Sequence, residues 1–173
     1  MAARGKNKEL SKAVVEIAQS RMNLSRFSVM VGFRVERLYK GGAVLGLTVK
    51  EHHRQVHSVV HGGVIAAFAD TAGAIAAYTA SPEGVELATV ELKINYLLPI
   101  ADGKIEAEGK VLRAGRNFVV VECDVRNADG ALAAKALMTF GAAGGKATEN
   151  ARIRERLAAG TEAPKSLMRK LKR

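Results

Sequence analysis

HGGVIAAFADTAGAIAAYTA, residues 61–80, decides how this chain folds. Apart from Asp70 and Thr71, everything between His61 and Tyr78 is apolar or glycine. The run predicts a helix from about Gly62 to Ala80, about 27 Å long at the α-helical rise. Ser81-Pro82 and Gly84 stop it. An ionised carboxylate in such a run loses several kcal/mol of hydration unless it is paired. Asp70 is therefore the first candidate for chemistry. Asp70 with Thr71 capping a second short helix is the plain alternative, but nothing breaks the pattern there until Gly73. Gly62-Gly63 mark a helix start, where unpaired N–H groups gather. They also let a carbonyl approach the backbone closely, although a flexible helix entry would use the same pair. Oxyanion donors and a desolvated carboxylate on one helix suit a reaction that develops negative charge on oxygen.

Outward from this helix the hydrophobic period changes. Residues 8–24 place Leu10, Val14, Ile17, Ala18 and Met22 on one helical face, opposite Lys8, Lys12, Glu16 and Gln19. This amphipathic helix covers a sheet edge or an interface. From Ser28, the alternation of Val29, Val31, Phe33 and Val35 predicts a strand, and Val44–Val49 returns after Gly41-Gly42. Residues 50–60 read as a loop. Four more strands are expected at Leu87–Leu97, Gly103–Arg113, Asn117–Arg126 and Ala131–Phe140, with tight turns at Asp102-Gly103, Ala114-Gly115 and Asp129-Gly130. Tight turns imply antiparallel pairing, and a helix apolar on nearly all sides must be wrapped by its neighbours. The class is α+β, a long antiparallel β-sheet wrapped around a central α-helix. The chain divides into an N-terminal amphipathic helix extension (1–26), a folded domain (27–145) and a basic tail (146–173), of which 151–173 reads as a frayed basic helix or a disordered end.

The 173 residues carry a formal charge of +10, but segments 1–26 and 146–173 hold net charges of +4 and +6, leaving 27–145 neutral. A neutral core with 5% aromatics and no Trp argues against a nucleic-acid-binding face. The basic ends serve solubility, or weak attraction to polyanions. Residues 64–80 are short for a bilayer and interrupted by Asp70, Thr71 and Gly73, so a buried core helix is expected, not an integral membrane span. A single Cys excludes an internal disulfide, and no basic-then-apolar leader opens the sequence. A reducing, cytoplasmic location is the expectation.

His61-Gly62-Gly63 followed by Asp70, together with the later Thr89-Val-Glu-Leu-Lys-Ile-Asn-Tyr-Leu-Leu-Pro99, resembles the PaaI-like branch of the hotdog acyl-CoA thioesterases. The resemblance covers roughly residues 28–140, and Leu112-Arg113-Ala114-Gly115-Arg116 also fits it. It implies that Asp70 is the catalytic carboxylate, as general base on water or as nucleophile, and that the Gly62 N–H supplies the oxyanion hole. It implies that Gln55 lies near the thioester or the lytic water, that Thr89 supplies a hydroxyl, and that His61 orients the loop or the thioester. Gly63, Arg113 and Arg116 fall where coenzyme A is met, the arginines against its phosphates. The resemblance further implies a homodimer or homotetramer with shared active sites, and no cofactor, since coenzyme A arrives as part of the substrate.

The remaining residues have plainer readings. His53, His57 and His61 recur every fourth residue, which on a helix could hold a metal, but Val59-Val60 and the absence of a partnering Cys favour a solvated loop and no metal. Cys123 shares a strand face with Val119, Val121 and Val125 and reads as core. Arg113 and Arg116 flank a turn and could simply be solvated. Phe68, Ala67, Ile75 and Tyr78 are candidates to line an acyl pocket. Beside the acyl-CoA hydrolase stand two alternatives: a non-catalytic acyl-CoA-binding protein of the same fold, and a hydratase or dehydratase, which would place a His beside its acid on a different motif.

Overall fold

The computed structural model describes residues 10–82 and 85–142. The basic tail, 146–173, lies outside the described residues. In chain order the elements are α1 (Lys12–Leu24), α2 (Arg26–Val31), β1 (Arg34–Tyr39), β2 (Gly42–Thr48), α3 (Gly62–Ala80), β3 (Leu87–Tyr96), β4 (Lys104–Ala114), β5 (Phe118–Arg126) and β6 (Leu132–Ala142). The six strands form one sheet in the order β1-β2-β4-β5-β6-β3, and every adjacent pair is antiparallel. The sheet curls around α3, which packs on β2, β3, β4, β5 and β6. This is the hotdog arrangement expected from the sequence. The bounds of α3 match the expected ones, and the last four strands begin and end within two residues of expectation.

One expectation fails. Ser28–Val31 is helical, and the first strand begins only at Arg34. The alternation of valines there is overruled by local capping. The Ser25 hydroxyl accepts the Ser28 N–H at 3.2 Å, and Gly32 ends the turn in the left-handed region at φ 92°. Val31 faces the core, while Phe27, Val29 and Met30 stay exposed.

Small residues bring α3 close to the sheet. A Cβ on Gly109 of β4 would lie 2.7 Å from the Ala72 carbonyl oxygen, and one on Gly73 would lie 2.5 Å from Met138 Cε. Backbone meets backbone at this crossing, which is why the helix is rich in alanine and glycine. Phe68, Phe140, Leu45, Ile105, Met138 and Cys123 fill the core around it. Each such large side chain contributes about 1.5–3 kcal/mol through removal from water. Helix α1 packs on α3 and β1. It buries Ala18 and Met22, and Arg21 reaches Glu86 at 2.6 Å while stacking 4.0 Å from the Tyr78 ring.

The wrapping of α3 is one-sided within this chain. Ile65, Phe68, Ala69, Ala72, Ile75 and Ala76 are buried, whereas Gly63 is exposed and Ala66, Ala67, Asp70 and Ala74 are partly exposed along the opposite stripe. Alongside lies β3, an edge strand exposed over most of its length.

Candidate active site

The site begins where α3 begins. His61 is the N-cap, and its Nδ1 accepts the Gly63 N–H at 2.9 Å. That acceptor role fixes the proton of the neutral ring on Nε2. The His61 carbonyl takes the N–H groups of Val64 and Ile65. The Gly62 N–H has no acceptor among the described residues, and it points from the positive end of a long helix. Neither glycine has a positive φ. Each instead makes room for a ring: a Cβ would stand 3.3 Å from Tyr96 Cζ at position 62 and 3.0 Å from His61 Nδ1 at position 63.

Two turns along the helix, Asp70 sits partly buried on the stripe that the sheet leaves open. Its Oδ1 accepts the Thr89 hydroxyl at 2.9 Å. Burial pushes the carboxyl above the usual Asp range, and the Thr89 hydrogen bond pulls back against that rise. No cation bonds to Asp70 among the described residues. A proton-accepting carboxylate is thus kept basic two turns from an unused N–H.

Thr89 reaches Asp70 through a β-bulge. Along β3, Leu92, Ile94 and Tyr96 pair with Met138, Ala136 and Ala134, all on the helix side of the sheet. Strict alternation would turn Thr89 to the opposite face. The register slips at Val90, so Thr89 pairs with buried Phe140 and shares the inner face. Val90 is squeezed out and 61% exposed, against a glycine, Gly141, whose Cβ would lie 2.9 Å from Val90 Cγ2.

Further along β3, the Tyr96 hydroxyl donates to the Gly62 carbonyl at 3.0 Å. One strand therefore touches both the carboxylate and the start of its helix. Tyr96 stands within the Thr89–Pro99 motif, which by itself assigns it no role. Its inward parity with Leu92 and Ile94 was the available signal. The bulge at Val90 carried no clear signal.

Among known proteins, the thioesterase superfamily model matches residues 57–134. A Saccharolobus solfataricus protein with a provisional esterase designation is 39% identical over 126 residues, 73% of this chain and 87% of that relative. The chain belongs to the thioesterase superfamily. The proofreading thioesterase EntH of Klebsiella pneumoniae is 30% identical over 104 residues, 58% of this chain and 76% of that protein. The structure of the conserved protein PA5202 from Pseudomonas aeruginosa superposes with a TM-score of 0.67 at 33% identity, covering 71% of this chain and 98% of that one. The E. coli PaaI protein shares the fold, with a TM-score of 0.73 at 23% identity over 80% of this chain and 99% of that one.

Gln55, Arg113 and Arg116 of this thioesterase-superfamily chain make no hydrogen bond to Asp70 or Gly62 among the described residues. Gln55 is exposed on the turn closed by its carbonyl and the Ser58 N–H, its backbone N–H donates to the Val59 carbonyl, and its side-chain amide makes no hydrogen bond among the described residues. Arg113 and Arg116 are exposed at the β4–β5 turn, unpaired among the described residues. That turn lies toward the C-terminal end of α3, where Thr79 accepts the Gly41 N–H and the Gly41 carbonyl accepts that of Val111. Gly62 is at the other end of the helix. His53 is buried, with Nδ1 accepting the Lys50 N–H at 3.0 Å and Nε2 donating to the Val31 carbonyl at 2.8 Å. Both of its ring nitrogens are thus occupied, and 54–60 is a loop, so the helical spacing of a metal site does not form. Cys123 is core, its thiol pushed up to about 12 by burial.

The acyl-pocket candidates separate. Phe68 is fully buried, 5.0 Å from the Phe33 ring, Ile75 is buried, and Tyr78 lies under Arg21. Of these four, only Ala67 lies on the open stripe with Asp70.

Proposed function

We propose that this protein hydrolyses acyl-CoA thioesters to the free acid and coenzyme A. The observation that carries the reading is Asp70: a carboxylate held basic by burial, bonded to Thr89, two turns from an N–H left without an acceptor. Water bound beside Asp70 loses a proton to the carboxylate as its oxygen attacks the thioester carbonyl. The carbonyl oxygen becomes negative and takes a hydrogen bond from the Gly62 N–H of a second copy of the chain, since about 12 Å of helix rise separates Gly62 from Asp70 within one chain. Collapse of the tetrahedral intermediate breaks the C–S bond, and the departing coenzyme A thiolate takes the proton from Asp70, which returns to the carboxylate. A donor of this kind is worth about 10²–10³ in rate, and a positioned base about 10²–10⁴.

The reading places the acyl group along the open Ala66–Ala67–Asp70–Ala74 stripe, with a second copy of the chain closing it. Edge strand β3 favours that assembly, because unpaired and exposed edges promote association. In such a homodimer or homotetramer, Gln55, Arg113 and Arg116 of one chain would serve a site completed by its partner, the arginines on coenzyme A phosphates.

Thiol release from a panel of acyl-CoAs tests the proposal, with Asp70→Asn beside the wild type. Turnover lost in the variant supports it. Turnover retained in the variant overturns the role of Asp70. Tight acyl-CoA binding without turnover would favour the non-catalytic reading.

A further inference from the structure

The peptide group between Gly62 and Gly63 is held at both ends. Its carbonyl accepts the Tyr96 hydroxyl at 3.0 Å, and its N–H donates to His61 Nδ1 at 2.9 Å. The Tyr96 ring fills the space where a Gly62 Cβ would stand, 3.3 Å from Cζ. Glycine has the widest backbone freedom of any residue. Two glycines at a helix start would leave their N–H groups free to wander, and a donor serves an oxyanion only when aimed in advance. The clamp removes that freedom. It also leaves the Gly62 N–H, on the neighbouring peptide, as the donor without an acceptor.

We propose that Tyr96 is a positioning residue: its hydroxyl, acting with His61, fixes the Gly62–Gly63 peptide and so aims the Gly62 N–H at the thioester oxygen. The inference rests on the hydrolase reading above. Tyr96 acts through backbone and touches none of the reacting atoms. Edge strand β3 then braces the site twice, at the carboxylate through Thr89 and at the oxyanion donor through Tyr96.

Tyr96→Phe keeps the ring and removes the hydroxyl. Losing one neutral hydrogen bond that acts only on the transition state lowers kcat about 3- to 10-fold. KM stays within about twofold, because the ground-state thioester depends little on this donor. Amide hydrogen exchange, read by NMR, becomes faster at Gly63 in the variant. An unchanged kcat overturns the proposal while leaving the hydrolase reading intact, as does a raised KM with kcat retained. If the wild type turns over no acyl-CoA, the hydrolase reading falls by itself. Exchange at Gly63 then decides the clamp: faster exchange in Tyr96→Phe upholds it, and identical exchange sinks it.

Discussion

Thr89 hydrogen-bonds Asp70 at 2.9 Å because β3 carries one residue too many for its pairing with β6. The extra residue, Val90, rotates everything before it by one face, so the hydroxyl turns to the helix side of the sheet and meets the carboxylate. The bond opposes the effect of burial, which raises the Asp70 pKa. Removing it with Thr89→Val, which keeps the shape, should raise that pKa further. The acid limb of the kcat/KM profile then moves to higher pH, and activity below neutrality falls. A pH profile that does not move would separate Thr89 from the protonation of Asp70.

Asp70→Asn should reduce turnover by about 10²–10⁴. It should also stabilise the fold at neutral pH. A carboxyl whose folded pKa lies above its unfolded one binds more protons when folded, so its contribution falls as pH rises through the folded value. Asparagine carries no such penalty. Melting curves of both proteins should converge in acid and separate near neutrality, with the variant higher. A variant less stable at neutral pH would contradict this assignment of the shift.

His53 gives the opposite dependence. Burial pushes its pKa down, and His52, with its ring centroid 4.2 Å away, and Lys50 add repulsion against the protonated form. Its hydrogen bond to the Val31 carbonyl pulls the other way. The unfolded chain therefore binds a proton that the folded chain refuses. Stability is retained above about pH 6.5 and falls as pH drops below it. Comparing wild type with His53→Gln by thermal melts from neutral to mildly acidic pH should show a shallower slope for the variant.

Gly109→Ala should destabilise the protein by about 1–3 kcal/mol, the usual cost of overpacking. The new Cβ would sit 2.7 Å from the Ala72 carbonyl oxygen and 3.1 Å from Gly73 Cα, and both contacts are backbone with little room to yield. Urea denaturation should show a lower midpoint at unchanged slope. A wild-type midpoint would mean that α3 can lift from the sheet at little cost.

Charge reversal at Arg113 and Arg116 should raise KM for acyl-CoA with kcat largely kept, and the loss should shrink at high salt. Both side chains are exposed, and neither makes an ion pair among the described residues, so stability should hardly change. The same KM loss with a substrate lacking the nucleotide portion would remove the phosphate role.

The sequence by itself determined the helix Gly62–Ala80, the last five strands in outline and the antiparallel wrapping, and it singled out Asp70 and Gly62 as candidates. These are local or periodic properties. A carboxylate in an apolar run, paired glycines at a helix start and turn residues between alternating segments each act over a few positions. Tertiary structure decided the rest. Whether Ser28–Val31 was strand or helix turned on a serine cap that outweighed the alternation of valines. Whether Phe68 lined a pocket or filled the core depended on Phe33 arriving from another element. Thr89 faced Asp70 only through a register slip against β6, and Tyr96 reached Gly62 only when the edge strand folded alongside the helix. A sequence pattern states which residues could share a face. The partner across the sheet, through its spacing and register, fixes which of them touch.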